Sequence, residues 1–407
     1  MNKINSKRFF NRLNIINNLN KDLSKNGVNR ITLTKKDKQA RDIIVSWMKK
    51  LGLIVKIDNI GNIFGFNYFE KDAQPIILGS HIDTVRNGGK YDGLLGVLGA
   101  LEVIEILNNK NKIPKNIGIA IFTNEEGVRF SPDMMGSWSF TKVEKINKIH
   151  KIKDDQNITV KQALKEINYL GKEKQLFFKP KYFLELHVEQ GPLLDIYKKD
   201  IGIVKGVQAI NWLYISLLGQ SNHAGTTPNS KKVDPNKVFS KILNFINKKT
   251  YSNSKQLATV GKVEYFPNQT NVIPNKINFT IDIRNKDDLK LKNFRKELMK
   301  QIKFYSKYYS IDFKIKELVN FKSVKFNQKI NNIIKKNVLK NKFSHMNIYS
   351  GAGHDAQMLS KICSTSMIFI PSLRGISHDK KEDTKKQQIL NGLRLLLNVT
   401  EDLLKIN

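Results

Sequence analysis

Histidines and carboxylates stand close together on short polar segments of this chain. His81 and Asp83 are separated by one residue, and Asp92 follows after a Gly88-Gly89 turn. A metal-binding histidine usually passes its second ring N–H to a carboxylate, which fixes the tautomer. Asp83 is spaced to do this for His81. Asp92 has two readings. It can cap the helix that starts near Leu94, since aspartate is a favoured N-cap, or it can be a ligand. Glu125 and Glu126 are adjacent at the end of an apolar stretch. Neighbours on an extended chain point to opposite sides, so one can face a metal while the other faces a substrate. A pair of surface glutamates is the plainer reading. His187 and His378 each follow an apolar run, and each also reads as a satisfied core histidine.

The histidines weigh more as a set. Of the seven, His81, His187, His223, His354 and His378 lie in polar, glycine-containing loops. Three of these follow directly on predicted strand ends, where scattered structural histidines would not gather. With Asp92 and Glu126 they form a nitrogen and oxygen ligand set suited to zinc, manganese or cobalt. Two metals bridged by a carboxylate would activate a shared water.

The elements that must position these residues are short buried strands. Residues 76–78 form an apolar run between Pro75 and Gly79, too short for a helix. A long apolar-periodic helix follows from Leu94. Residues 118–127 and 182–192 repeat the pattern, each a short strand running into polar groups. Open α/β sheets bind ligands at such strand ends. The spacing also predicts a helix over 35–51 and strands at 53–57 and 62–66. In the middle of the chain the pattern changes to strand 213–218, helix 234–249, strands 256–265 and 276–284, helix 287–305 and a strand around 311–315. The order β-α-β-β-α-β is that of a ferredoxin-like unit. Residues 208–318 are therefore expected as an inserted second domain, with 1–207 and 319–407 as a discontinuous α/β domain. A helix near 327–340, a strand at 366–371 and a helix from Asp383 complete it.

Composition bounds the rest. The 407 residues suffice for two or three domains. No apolar run approaches the roughly eighteen residues of a membrane span. The N-terminal stretch places Phe9, Phe10, Leu13, Ile16 and Leu19 at helical spacing and reads as a surface helix, not a signal peptide. Cys363 is the single cysteine, so no internal disulfide forms, and a reducing cytoplasm is the natural compartment. The net charge of +34 invites a nucleic-acid reading. The lysines are spread along the whole chain, however, with no basic segment carrying regular aromatics. They read as a solvated basic surface, with a polyanion-binding protein as the non-enzymatic alternative.

The segments GSHIDTVRNGGKYDG, TNEEGVRF, ELHVEQGPLLD, GQSNHAGTTP, TIDIR, SGAGHDA and IFIPSLRGISHDKKEDT resemble the metal-dependent amidohydrolases of the aminoacylase/M20 metallopeptidase clan. The resemblance runs from about residue 40 to the end. It is closest to the hydantoinase/carbamoylase group of N-carbamoyl-L-amino-acid hydrolases, β-ureidopropionases and allantoate amidohydrolases. It implies a zinc-exopeptidase-like catalytic domain with a mixed, mostly parallel sheet flanked by helices, plus a ferredoxin-like lid that also makes a homodimer. It implies two divalent metal ions, zinc or manganese or cobalt, on His81, Asp92, Glu126, His187 and His378, with Asp92 bridging. Asp83 matches the partner of His81, and Glu125 matches the general base. His223 matches a residue that enters a partner subunit's active site and polarises the scissile carbonyl. Gln190, Asn271, Arg284 and the backbone around Gly351 and Gly353 match substrate-binding positions.

The residue types suit such chemistry on their own terms. A urea-like carbonyl is a poor electrophile, so Lewis-acidic metals and a metal-bound hydroxide are a reasonable requirement. Glu125 can accept the water proton and return it to the leaving nitrogen. Arg284 lies on the polar face of an alternating strand, where its fork could hold an α-carboxylate. The plainer reading is an ion pair with Asp282. Within the group, TNEEGVRF and KGVQAINW are most similar to the N-carbamoyl-amino-acid hydrolases. The expected reaction is cleavage of an N-carbamoyl-L-amino acid to amino acid, ammonia and carbon dioxide. Alternatives are allantoate or N-carbamoyl-β-alanine as substrate, or N-acyl and peptide substrates of the same clan. No specific nucleic acid or membrane partner is expected. One departure stands out. Asn229, Lys231 and Lys232 occupy positions where the group usually has methionine and two arginines, and lysine lacks arginine's planar fork.

Overall fold

The structure is a computed structural model that describes residues 4–19, 27–70, 72–109, 114–141, 146–252 and 256–406. It divides into two compact units, Met1–Gly206 with Lys325–Asn407, and Val207–Val324.

The first unit begins with helix α1 (Ser6–Asn17), capped by the Asn5 side chain. Phe9, Leu13 and Ile16 of this helix are buried in the main core, while Ser6, Lys7, Asn11 and Asn14 on its other side are exposed. Arg8 fastens it to Glu102 and Glu105. Helix α2 (Lys35–Lys50) and strands β1 (Ile54–Ile57), β2 (Ile63–Phe66) and β3 (Ile76–His81) follow. Then come helix α3 (Leu94–Asn108) and strand β4 (Ile117–Phe122). Three short helices, α4 (Met135–Thr141), α5 (Ile146–His150) and α6 (Val160–Glu166), lead to strand β5 (Tyr182–Val188). A single turn, α7 (Leu193–Ile196), and strand β6 (Ile201–Val207) close this half.

The chain then forms the second unit from β7 (Ala209–Leu218), β8 (Asn222–His223), α8 (Asn236–Ser252), β9 (Leu257–Phe266), β10 (Val272–Ile273), β11 (Lys276–Asn285), α9 (Asp288–Tyr309) and β12 (Asp312–Phe321). Its four long strands pair antiparallel in the order β12-β7-β11-β9. Alternate residues of β7 and β11, among them Leu213, Ile215, Phe279 and Ile281, pack on Val238, Ile242, Leu298 and Ile302 of the helices. The period of two on the strands and of 3.6 on the helices, legible in the sequence, thus closes one core. β12 runs on to Phe321, past residue 318. β8 and β10 pair with each other beyond the Leu218–Lys276 end of the β7–β11 ladder.

Strands β13 (Val324–Lys325), β14 (His345–Ser350) and β15 (Ser364–Ile370), with helices α10 (Gln328–Lys340), α11 (Asp355–Leu359) and α12 (Lys386–Lys405), complete the first unit. Its sheet is ordered β1-β2-β4-β3-β5-β15-β6-β13, with β14 beside β6. The central strands β4, β3, β5 and β15 are parallel, and β1, β2 and β6 add antiparallel neighbours. β3, β4 and β5 are buried along their whole length. That is why they read as apolar runs without alternation, the mark of parallel strands covered on both faces. α3 is buried on nearly every side, which accounts for its almost wholly apolar sequence. No helix among the described residues is long and apolar enough to cross a membrane.

Candidate metal centre

The four parallel strands deliver their residues to one edge of the sheet. His81 is the last residue of β3, and His187 is the last but one of β5. Glu125 and Glu126 follow β4 through Asn124, whose φ of +57° turns the chain sharply. His378 follows β15 through a loop and also has a positive φ, +54°. Asp92 arrives on the loop between β3 and α3.

Asp92 stands at the centre of the group. It is not the helix cap: Gly93 holds that position, and no side chain caps the helix. The carboxylate turns to the imidazoles instead. Its Oδ1 is 3.2 Å from His187 Nε2 and 3.7 Å from His81 Nε2. Its Oδ2 is 3.3 Å from His378 Nε2, which is also 3.4 Å from Glu126 Oε2. Two ligand groups result, His81–Asp92–His187 and Asp92–Glu126–His378, each compact enough to hold one ion. Gly93 has φ +62°, and a Cβ there would come within 2.4 Å of the His81 ring. Both the backbone turn and the close approach require glycine.

The surroundings are rich in buried acid. Burial, then Asp355, Glu126 and Asp92, push the Glu125 carboxyl well above its usual range. Burial, then Asp92 and Asp83, do the same to Glu126. Burial also acts to raise Asp92, but its bonds to His187 and His378 outweigh this and hold it well below the usual carboxylate range. Burial works to lower the His187 ring, yet the Asp92 carboxylate pushes it up to about 9. His81 has a weaker partner, and burial takes it down to about 4. Glu126 Oε1 is buried without a hydrogen-bond partner. Converging imidazole nitrogens, a carboxylate facing both ways and excess buried acid with an orphaned oxygen fit divalent cations.

Asp83 does more than its spacing suggests. His81 Nδ1 meets the Asp83 main-chain carbonyl at 3.0 Å, while the carboxylate is 3.8 Å away. That carboxylate accepts the main-chain N–H groups of Glu125 and Glu126, each at 3.2 Å. Asp83 therefore sets the His81 ring with its backbone and the two glutamates with its side chain. Glu125 Oε2 lies 3.6 Å from His81 Nε2. Gln190, with φ +58°, donates from Nε2 to Asp92 Oδ2 at 2.9 Å. Gly351 and Gly353 lie on the loop between β14 and α11. His354, on that loop, is buried, with Nε2 2.8 Å from Ser350 Oγ and its ring edge-on to His187 at 4.7 Å. It stands behind His187, and with Glu185 and His187 it forms a further buried group compact enough for an ion.

The remaining expected residues lie in the second unit. His223, on β8, is exposed, and its Nδ1 accepts the N–H groups of Gly225 and Thr226, each at 3.1 Å. The ring proton is therefore on Nε2. Asn271 is beside it, its carbonyl accepting the Ala224 N–H at 2.9 Å. Arg284 forms the ion pair with Asp282, Nη2 to Oδ2 at 2.7 Å. Asn229, Lys231 and Lys232 form an exposed to half-buried turn after the His223 loop.

Sequence reasoning missed Glu382, whose Oε1 accepts the Tyr91 and Asp92 N–H groups. Its position four residues after His378 was the available signal. It also missed the buried Arg41, which bonds Asp37, the Gly61 carbonyl and Thr123 next to the glutamate pair.

The model of peptidase family M20/M25/M40 matches residues 77–402. The chain belongs to that family. This M20 chain is 34% identical over 377 residues to the N-carbamoyl-L-amino-acid amidohydrolase of Rhizobium meliloti, covering 91% of itself and 90% of the relative. It is 32% identical to the allantoate amidohydrolase of Bacillus subtilis, with 92% of each chain covered. A solved amidase of the hydantoinase/carbamoylase family from Burkholderia multivorans superposes with a TM-score of 0.90 at 34% identity, over 98% of both chains. The M20 protein is an enzyme, a hydrolase whose relatives are amidohydrolases.

Proposed function

We propose that this M20 hydrolase cleaves the carbamoyl C–N bond of N-carbamoyl-L-amino acids, giving the amino acid, ammonia and carbon dioxide. The observation that carries the reading is the meeting of three imidazole nitrogens on the two oxygens of Asp92, with Glu125 at the margin. The names of the relatives support the type of bond.

His81, Asp92 and His187 would hold one divalent cation, and Asp92, Glu126 and His378 a second, zinc or manganese or cobalt. Such ions supply Lewis acidity, which polarises a carbonyl and acidifies water. Glu125 takes the proton of the attacking water and returns it to the leaving nitrogen. Asp83 keeps Glu125 aimed through the main chain. His223 donates from Nε2 to the carbonyl oxygen of the substrate, a role its tautomer supports. Gln190, Asn271, Arg284 and the Gly351–Gly353 loop hold the rest of the substrate. For Arg284 this means exchanging Asp282 for the α-carboxylate of the substrate.

Residues 208–318 act as lid and dimerisation domain. Arg284 pairs with Ile210, while His223 lies beyond the Leu218–Lys276 end of the same ladder. Eight residues of strand put them on the order of 25 Å apart. One small substrate cannot reach both within one copy, which supports a homodimer whose sites draw on both copies. The single cysteine supports a reducing, cytoplasmic setting.

The test is ammonia release by the metal-loaded enzyme from N-carbamoyl-L-amino acids, N-carbamoyl-β-alanine, allantoate and N-acetyl amino acids. Ammonia from a carbamoyl amino acid is expected. Ammonia from allantoate alone would replace this reading with a second one, which the Bacillus subtilis relative favours. Acetate without ammonia would reject both.

A further inference from the structure

Glu382 is almost fully buried, 1% exposed. Its Oε1 accepts the main-chain N–H of Tyr91 at 3.0 Å and of Asp92 at 3.2 Å. Its Oε2 accepts the Ser377 hydroxyl at 2.9 Å. One carboxylate thus ties the loop that carries Asp92 to the loop that carries His378. Neither loop has a helix or strand to fix it at this point. The His378 side chain is 50% exposed and its backbone is left-handed, so packing alone does not hold it.

The ties through Asp383 are weaker, and Gln190 joins the loops only through the Asp92 and His378 side chains. Lys90 Nζ meets Asp383 Oδ1 at 3.5 Å with both side chains nearly half exposed, and the Tyr91 hydroxyl reaches the same oxygen at 3.3 Å. Exposed ion pairs of this kind contribute little. Losing the acceptor of a buried N–H is far more damaging. The chain also makes room for Glu382. A Cβ on Gly89 would lie 2.1 Å from its Oε1, so the second glycine of the Gly88-Gly89 turn is required by this carboxylate.

We propose that Glu382 is the positioning residue that locks the Asp92 loop to the His378 loop, so that both oxygens of Asp92 face their imidazoles together. The proposal rests on the reading of Asp92 and His378 as cation ligands. Glu382 touches neither cation nor substrate and acts through the Asp92 main chain and through Ser377. Outer partners of this kind commonly change metal affinity 10- to 100-fold.

The test is manganese binding to the metal-free protein, followed by electron paramagnetic resonance, in the wild type, Glu382→Gln, Glu382→Ala and Ser377→Ala. Glutamine keeps the size and the Oε1 acceptor, and its amide can donate to Ser377, so binding within about threefold of wild type is expected. Alanine is expected to weaken at least one manganese site by about 10- to 100-fold. Ser377→Ala should fall between them. In the loaded enzyme, Glu382→Ala should lower kcat with KM little changed, and Glu382→Gln should restore it. Thermal unfolding of the metal-free proteins controls for folding. Wild-type protein that takes up no manganese would overturn the ligand assignment and this proposal with it. Wild-type binding with equal affinity in Glu382→Ala would overturn the positioning role alone. So would glutamine as damaging as alanine, because charge and not placement would then matter. If the alanine variant does not fold, unchanged affinity in Ser377→Ala overturns the proposal.

Discussion

Glu125 and Glu126 are adjacent and alike in sequence, yet their surroundings separate them. Glu126 faces His378 and Asp92 inside a ligand group, while Glu125 lies at the edge against His81. Glu125→Gln keeps the shape and the main-chain bonds to Asp83 but removes the proton acceptor. Turnover should fall by about 10²- to 10⁴-fold, with the metal content from elemental analysis unchanged. Loss of metal along with activity would make Glu125 a ligand rather than a base. Asp83 marks where reading by residue type stops. Its spacing from His81 was legible, but which of its atoms meets the ring depends on the turn after β3. The carbonyl takes the ring, and the carboxylate takes the two glutamate N–H groups. Glu382 was hidden for another reason. Its buried partners are about 290 residues away in sequence, and in the segment HDKKED it reads as one more surface charge.

The strands that carry the site were legible because burial on both faces leaves nothing but apolar residues between their turn signals. β3 and β4 are clear cases, bounded by Pro75 and by Asn124. The paired dipeptides β8 and β10 were not, since two residues carry no period. The polar face of α2 misled in the opposite sense. In KKDKQARD, Asp37 and Arg41 look like solvent-facing helix charges, yet both are fully buried and bonded to each other at 2.8 Å. Arg41 also reaches Gly61 and Thr123, so α2 braces the end of β4 just before the glutamates. Arg41→Met leaves Asp37 as an uncompensated buried charge and should cost about 3–5 kcal/mol. The urea midpoint reads this directly. Replacing Asp37 by leucine in the same protein should recover most of the loss. A single variant that unfolds at the wild-type midpoint would show that the pair braces nothing.

At the scale of the whole molecule, the composition pointed to nucleic acid more strongly than the fold does. The charge of +34 travels with a sheet whose strand ends are organised around acid and imidazole, not around a basic groove. The prediction at this scale concerns the number of copies. On the proposed dimer, mixing Glu125→Gln with His223→Ala, each expected to be inactive alone, makes dimers in which one of the two sites draws only on intact residues. Half the dimers in an equal mixture are of this kind, so activity should return to about a quarter of wild type. No recovery in verified mixed dimers would put His223 and Glu125 of one copy in the same site. The stretch of strand between Arg284 and His223 then reaches beyond geometry into enzymology. An enzyme whose substrate is gripped by two copies has a specific activity that depends on its own concentration. It fades as dilution parts the copies, and saturating substrate, by bridging them, protects against that loss.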